Sequence, residues 1–202
     1  MHSDRSALDS ISCEGIPVAD RSAIVAAIAH GVIDAELAAL LWVLTDSGLP
    51  LVVASRLPEA ATELRAAFTN SAGGVLVADS LEEVLRLSGA PAGTFPDELR
   101  EMGVVLIVGD IGGWARVVAA HYIRRLERDA AGHLQRRPPA VLAAWDKDDA
   151  RLEHFAWAIT AELADHTGIT VDELERRQAD RSEFLTALAA GSGHAGHRHG
   201  AG

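Results

Sequence analysis

The chain has 202 residues, 49% of them apolar and 23% charged, which is enough for one domain with a sizeable core. Its formal charge of −11 repels phosphate and disfavours nonspecific binding to nucleic acid or anionic lipid. No window reaches the roughly 18 apolar residues of a membrane helix, the charged N-terminus lacks a secretory core, and Cys13 alone excludes an internal disulfide, so a cytoplasmic protein is expected.

Residues 1–19 show no sustained period and read as a loose lead-in, 20–190 as one α/β domain, and 191–202, rich in Gly and His, as a disordered tail. From Ser22 to His30 a helix places Ile24, Ala27 and Ile28 on one face. After Gly31, Asp34 is an N-cap candidate for a helix through Asp46 with an apolar stripe of Leu37, Leu40, Leu41 and Leu44. Gly48-Leu49-Pro50 ends it. Leu51 to Ala54 is a continuous apolar run, typical of a strand covered on both faces. Pro58 then opens a helix to Phe68, and a second strand follows from Val75 to Ala78. Ser80 and Glu83 form a capping box for a helix through Leu87. A short helix from Pro96 to Met102 leads to a third strand, Val104 to Val108.

Strands alternating with helices at these spacings predict an α/β fold with a parallel sheet. After Asp110 the pattern changes. Val117 to Leu126 and Leu134 to Ala144 read as a hairpin around Asp129 to Gly132, with Pro138-Pro139 placing the second strand at an edge or shortening it. Ala150 to His166 reads as a helix with Leu152, Phe155, Ile159 and Leu163 on one face. Thr170 and Glu173 cap a last helix to about Ala190.

The basic residues are distributed unevenly. Lys147 is the only lysine, whereas six of the seventeen arginines fall between Arg116 and Arg137. A phosphate loop after the first strand would follow G-x-x-x-x-G-K-[S/T], but the residues there are Ser55, Arg56, Leu57, Pro58, Glu59, Ala60, Ala61 and Thr62, of which only Thr62 conforms. Ala61 replaces the lysine, Pro58 removes an amide donor, and Glu59 repels an anion.

With its flanks, the segment Gly31 to Thr62 resembles the nucleotide-binding domain of the ATPases of type II and type IV secretion and pilus machines. Val104 to Gly112 resembles it more loosely, with Gly109-Asp110 where that family ends a strand in an acidic, magnesium-holding residue. The resemblance covers about half the chain. It implies a parallel sheet of P-loop or Rossmann-like type flanked by helices, to which this chain adds an Arg-rich hairpin and C-terminal helices. The lost glycines and lysine imply a degenerate, inactive loop.

Candidate ligand-binding residues are Ser55 and Thr62 beside this loop and Asp110 at a strand's carboxyl end, where α/β sheets place ligands. The plainer reading of Asp110 is a turn residue capping the loop before Trp114. In the hairpin, Arg116, His121, Arg124 and Arg125 mix charge with apolar neighbours, which fits a polar partner, an anionic ligand, or pairing with this chain's own carboxylates. Nucleic acid is not expected, because Tyr122 is the only aromatic residue among the arginines. His194, His197 and His199 in the tail are candidate metal ligands or simply solvated.

The expectation is therefore a non-catalytic binding or regulatory module with no cofactor, accessory to a secretion-type ATPase assembly, with a protein partner or a second copy contacted through Trp114, Trp145 and the arginines. The alternative is an ATPase-like enzyme holding magnesium-nucleotide, with Arg116, Arg124 or Arg125 in place of the lysine and Asp110 on the metal.

Overall fold

The computed structural model describes residues 18–68, 72–88, 103–124, 126–128 and 131–195. The predicted helix at 96–102, most of the lead-in, Arg125, His197 and His199 lie outside them. In chain order the elements are α1 (Val18–Ala29), α2 (Ala35–Asp46), β1 (Leu51–Ser55), α3 (Pro58–Ala66), β2 (Gly73–Leu76) and α4 (Leu81–Ser88). There follow β3 (Val104–Ile111), β4 (Trp114–Tyr122), β5 (Leu126–Arg128), β6 (Leu134–Arg136), β7 (Ala140–Asp146) and β8 (Arg151–His154). A 3-10 turn (Ala156–Ile159) leads to α5 (Thr160–Thr167) and α6 (Val171–Ala195).

Among the described residues, six strands form one open mixed sheet in the order β2-β1-β3-β4-β7-β8. Only β2, β1 and β3 are mutually parallel. From β3 onward every pairing is antiparallel, so the expected P-loop or Rossmann-like parallel sheet is corrected to a mixed one. The reason lies at Gly112-Gly113. Ile111 and Trp114 are partners across a two-residue turn, and both glycines have positive φ, 65° and 85°, as a type I′ hairpin turn requires. The chain therefore reverses directly into β4 instead of crossing over through a helix.

The predicted hairpin is present but divided. β4 pairs with β7 in the main sheet, and its distal part forms the separate ribbon β5-β6. The predicted helix from Ala150 is corrected as well: Arg151 to His154 form edge strand β8, pairing with Ala143 to Asp146, and the helix begins only at Thr160. Asp146 Oδ1 accepts the amides of Asp148 and Asp149 at 2.7 and 3.3 Å, closing the turn between β7 and β8 that carries the exposed Lys147.

Period-2 alternation sends side chains to two sides of the sheet. Leu51, Val53, Val104, Leu106 and Val108 enter the larger core beneath α1, α2, α3 and α6. Val52, Ala54, Val105 and Ile107 enter a smaller one with Val84 of α4. This explains why β1 is buried at all five positions. Helix α2 is buried from Leu37 through Thr45, all round rather than along a stripe, because α6 covers its outer side. There Arg181 lies 4.5 Å from the Trp42 ring centroid and 2.7 Å from Asp46 Oδ2, and Phe184 packs against Trp42.

One glycine marks a close approach. A Cβ on Gly73, whose φ is +134°, would lie 2.0 Å from the Leu51 carbonyl oxygen, so β2 can pair with β1 in this register only without a side chain there.

Candidate functional site

The loop after β1 is held together by its own side chains. The buried Ser55 hydroxyl donates to the Val108 carbonyl at 2.8 Å and accepts the Leu57 amide at 2.9 Å. It thereby ties β1 to β3 and sets the approach to α3. Arg56 reaches the turn after β2 and the start of α4, with 3.0 Å to Asp79 Oδ2 and 3.1 Å to Glu83 Oε2. Thr62 donates to the Pro58 carbonyl one turn back, at 2.8 Å. Helix α3 has no side-chain cap, and Pro58 opens it with Glu59 in its first turn. At the place expected for phosphate, the basic group is paired with carboxylates and both hydroxyls already have backbone partners.

Asp110 lies beyond the parallel stretch of β3, opposite Ala115. Its Oδ1 accepts the Gly113 amide at 2.7 Å, so it fastens the hairpin turn.

Among the described residues, Arg116 and Arg124 do not converge. Arg116 donates to the Gly31 carbonyl at 2.9 Å and lies 5.3 Å from the Trp145 ring centroid. It places positive charge at the C-terminal end of α1, which has no basic residue in its last turn and whose dipole favours a cation there. Beside it, the Val117 amide donates to the Val32 carbonyl at 2.7 Å. Arg124 lies just past Tyr122, which pairs with Val104 at the start of β3. The carboxyl end of β1, whose Ser55 pairs with Val108, is at the opposite end of the sheet. Arg124 forms a two-pronged bond to Glu162 of α5, at 2.8 and 3.0 Å, and donates to the Pro138 carbonyl at 2.5 Å. Tyr122 contacts His166 on the same helix through its hydroxyl and ring edge. Of the two tryptophans expected to meet a partner, Trp114 is 66% exposed at the hairpin tip, whereas Trp145 packs on the core under Arg116.

His121 is half-buried, and burial pushes its pKa below the ordinary value. It pairs across β4 with Val105 and Val141. His194 falls within α6, which continues past the predicted end near Ala190 to Ala195. Among the described residues no group of three or more His, Cys, Asp or Glu side chains is placed to hold a metal ion.

A different cluster appears where α2, β8, the 3-10 turn and α6 meet. Asp34 caps α2 through Oδ1, which accepts the Leu37 amide at 2.8 Å, and its Oδ2 lies 2.8 Å from His154 Nε2. The other imidazole nitrogen faces Glu36 Oε1 at 3.7 Å. Burial opposes protonation of His154, but the hydrogen bond and charge of Asp34, with the charge of Glu36, outweigh it and hold the pKa above the ordinary value. The Trp157 indole N–H donates to the His154 carbonyl at 3.2 Å, which fixes a ring that is 76% exposed.

Glu36, His154 and Trp157, together with Thr160, Glu175 and Gln178, line a cleft of about 140 Å³. Thr160 Oγ1 donates to the carbonyls of Ala156 and Trp157, both at 3.3 Å, so the hydroxyl is not aligned with His154 as a nucleophile would be. The cleft can bind by charge and ring stacking. Sequence reasoning missed it because its parts lie far apart in the chain and Trp157 falls inside the helix expected from Ala150. Compared with models of known protein families the chain matches none, and no curated protein is significantly similar to it.

Proposed function

We propose that this chain is a non-catalytic binding module, built on a degenerate P-loop-like strand-loop-helix and accessory to a secretion-type ATPase assembly. The β1–α3 junction carries this reading. Ser55 is bonded to Val108 and Leu57, and Arg56 is paired with Asp79 and Glu83. Pro58 has no amide hydrogen to offer, and Glu59 adds negative charge at the helix start. A phosphate would have to break these bonds and meet that charge. The exposed Trp114 and Trp157 are side chains of the kind that dominate interface energetics. The secretion-type assembly rests on the resemblance of Gly31 to Thr62 to that family.

The test is thermal unfolding with millimolar ATP, ADP or GTP and magnesium, beside an ATP turnover assay. A ligand at a hundred times its Kd stabilises the native state by about 2.7 kcal/mol. The expected result is no nucleotide-dependent shift in Tm and no turnover. Turnover that disappears in Asp110→Ala would overturn the reading.

A further inference from the structure

We propose that the cleft between α2, the 3-10 turn and α6 receives an arginine side chain from a basic segment of a partner protein. This rests on the reading of the chain as a binding module and names the chemistry of its partner. Three observations support it. The cleft has carboxylates on two sides, Glu36 from α2 and Glu175 from α6. Neighbouring acidic residues on α6 are engaged, Glu173 with Arg176 and Arg177 and Asp180 with Arg176. Glu175 is exposed and its side chain forms no ion pair or hydrogen bond with another described residue.

The second observation is Trp157, whose indole is anchored by its N–H yet largely uncovered. A planar guanidinium stacks on such a ring and pairs with a carboxylate through two parallel N–H bonds, a combination that an ammonium group does not reproduce. Among the described residues His154 is the only basic group lining the cleft, and Asp34 is bonded to its other ring nitrogen, not the one facing Glu36. With His154 protonated, Asp34, Glu36 and Glu175 still leave the site negative.

Third, the cleft opens into a shallow groove of about 670 Å³ along α6, sharing Glu36, Glu175 and Gln178 with it and running past Ala179, Ser182 and Glu183. Small side chains there let a partner's main chain approach, and Glu183 adds a further negative charge. The overall charge of −11 attracts a basic segment at longer range.

The probe is a capped peptide, Gly-Ser-Arg-Ser-Gly, compared with its lysine and citrulline counterparts. Binding to the full chain is followed through the Trp157 indole N–H resonance, assigned with Trp157→Phe. A single side chain in so small a site should bind with a Kd of about 1–10 mM. The arginine peptide is expected to give a saturable shift, the lysine peptide a weaker one by about threefold, and the citrulline peptide none. Glu175→Gln, an exposed change checked by an otherwise unchanged spectrum, should weaken arginine binding by about threefold to tenfold. Equal shifts from arginine and citrulline, an unchanged Kd in Glu175→Gln, or no saturable shift would each overturn the proposal. A failed peptide titration leaves the binding-module reading intact, whereas ATP turnover would end that reading without touching the peptide result.

Discussion

Arg124 separates a structural arginine from one reserved for a ligand. Its side chain is 15% exposed and that of Glu162 27%, with the charged groups 2.8 Å apart. Two unit charges about 4 Å apart attract by roughly 4 kcal/mol at an effective dielectric of about 20, and desolvation offsets part of this. Arg124→Met also removes the donor to the Pro138 carbonyl and leaves a partly buried carboxylate alone, so it should cost about 2–3 kcal/mol of stability. Glu162→Gln should cost about 1–2 kcal/mol, and the double variant less than the sum, giving a coupling of about 1–2 kcal/mol. The assay is unfolding in urea, since guanidinium would screen the pair, with the slope m checked for constancy. A coupling below about 0.3 kcal/mol, indistinguishable from additivity, would refute the assignment of Arg124 to Glu162.

Gly73→Ala should destabilise the chain by about 2–4 kcal/mol, because the added methyl meets the Leu51 carbonyl and the backbone must leave its glycine-only conformation; a loss under about 1 kcal/mol in urea would contradict the β1–β2 register. For His154, the folded pKa is raised above an unfolded value of about 6.5 by Asp34 and Glu36 acting against burial. Its contribution to stability is therefore fully present below about pH 6.5 and is lost as the pH rises through the folded value. Urea midpoints between pH 5.5 and 8.5 should fall across that window in the parent and lie flatter in His154→Gln, so identical pH profiles would count against the Asp34–His154 pair.

Local chemistry made much of the fold readable. Asp34 before an apolar helix is a cap, Leu51 to Ala54 is a covered strand, and both are found at those places. The Gly112-Gly113 pair is itself a hairpin signal, but the alternation of strands with helices up to Val108 points to a parallel sheet, and the reversal at the glycines decides against it. β8 was hidden for another reason. Leu152 and Leu163 are both buried, and the same spacing serves a helix throughout or an edge strand followed by a helix. Pairing with β7 decides between them, and that is tertiary information.

The same distinction governs the sites. Groups that act within a few residues, such as Asp110 on Gly113, were visible as turn chemistry. The arginine cluster was visible as composition, but its partners were not. Gly31 lies 85 positions from Arg116 and Glu162 lies 38 from Arg124, and no period links such residues. Asp34 and His154, 120 positions apart, had no joint signature at all.

The covering of α2 by α6 bears on how the chain is made. During synthesis α2 emerges early, with Leu37 through Thr45 all destined for burial, while Arg181 and Phe184, which close over Trp42, are translated some 140 residues later. At about 5–20 residues per second this interval lasts on the order of ten seconds. Throughout it the outer side of a largely apolar helix has no permanent cover, so the nascent chain is a natural client for chaperones that shield hydrophobic segments, and a ribosome stalled before α6 would release an aggregation-prone product.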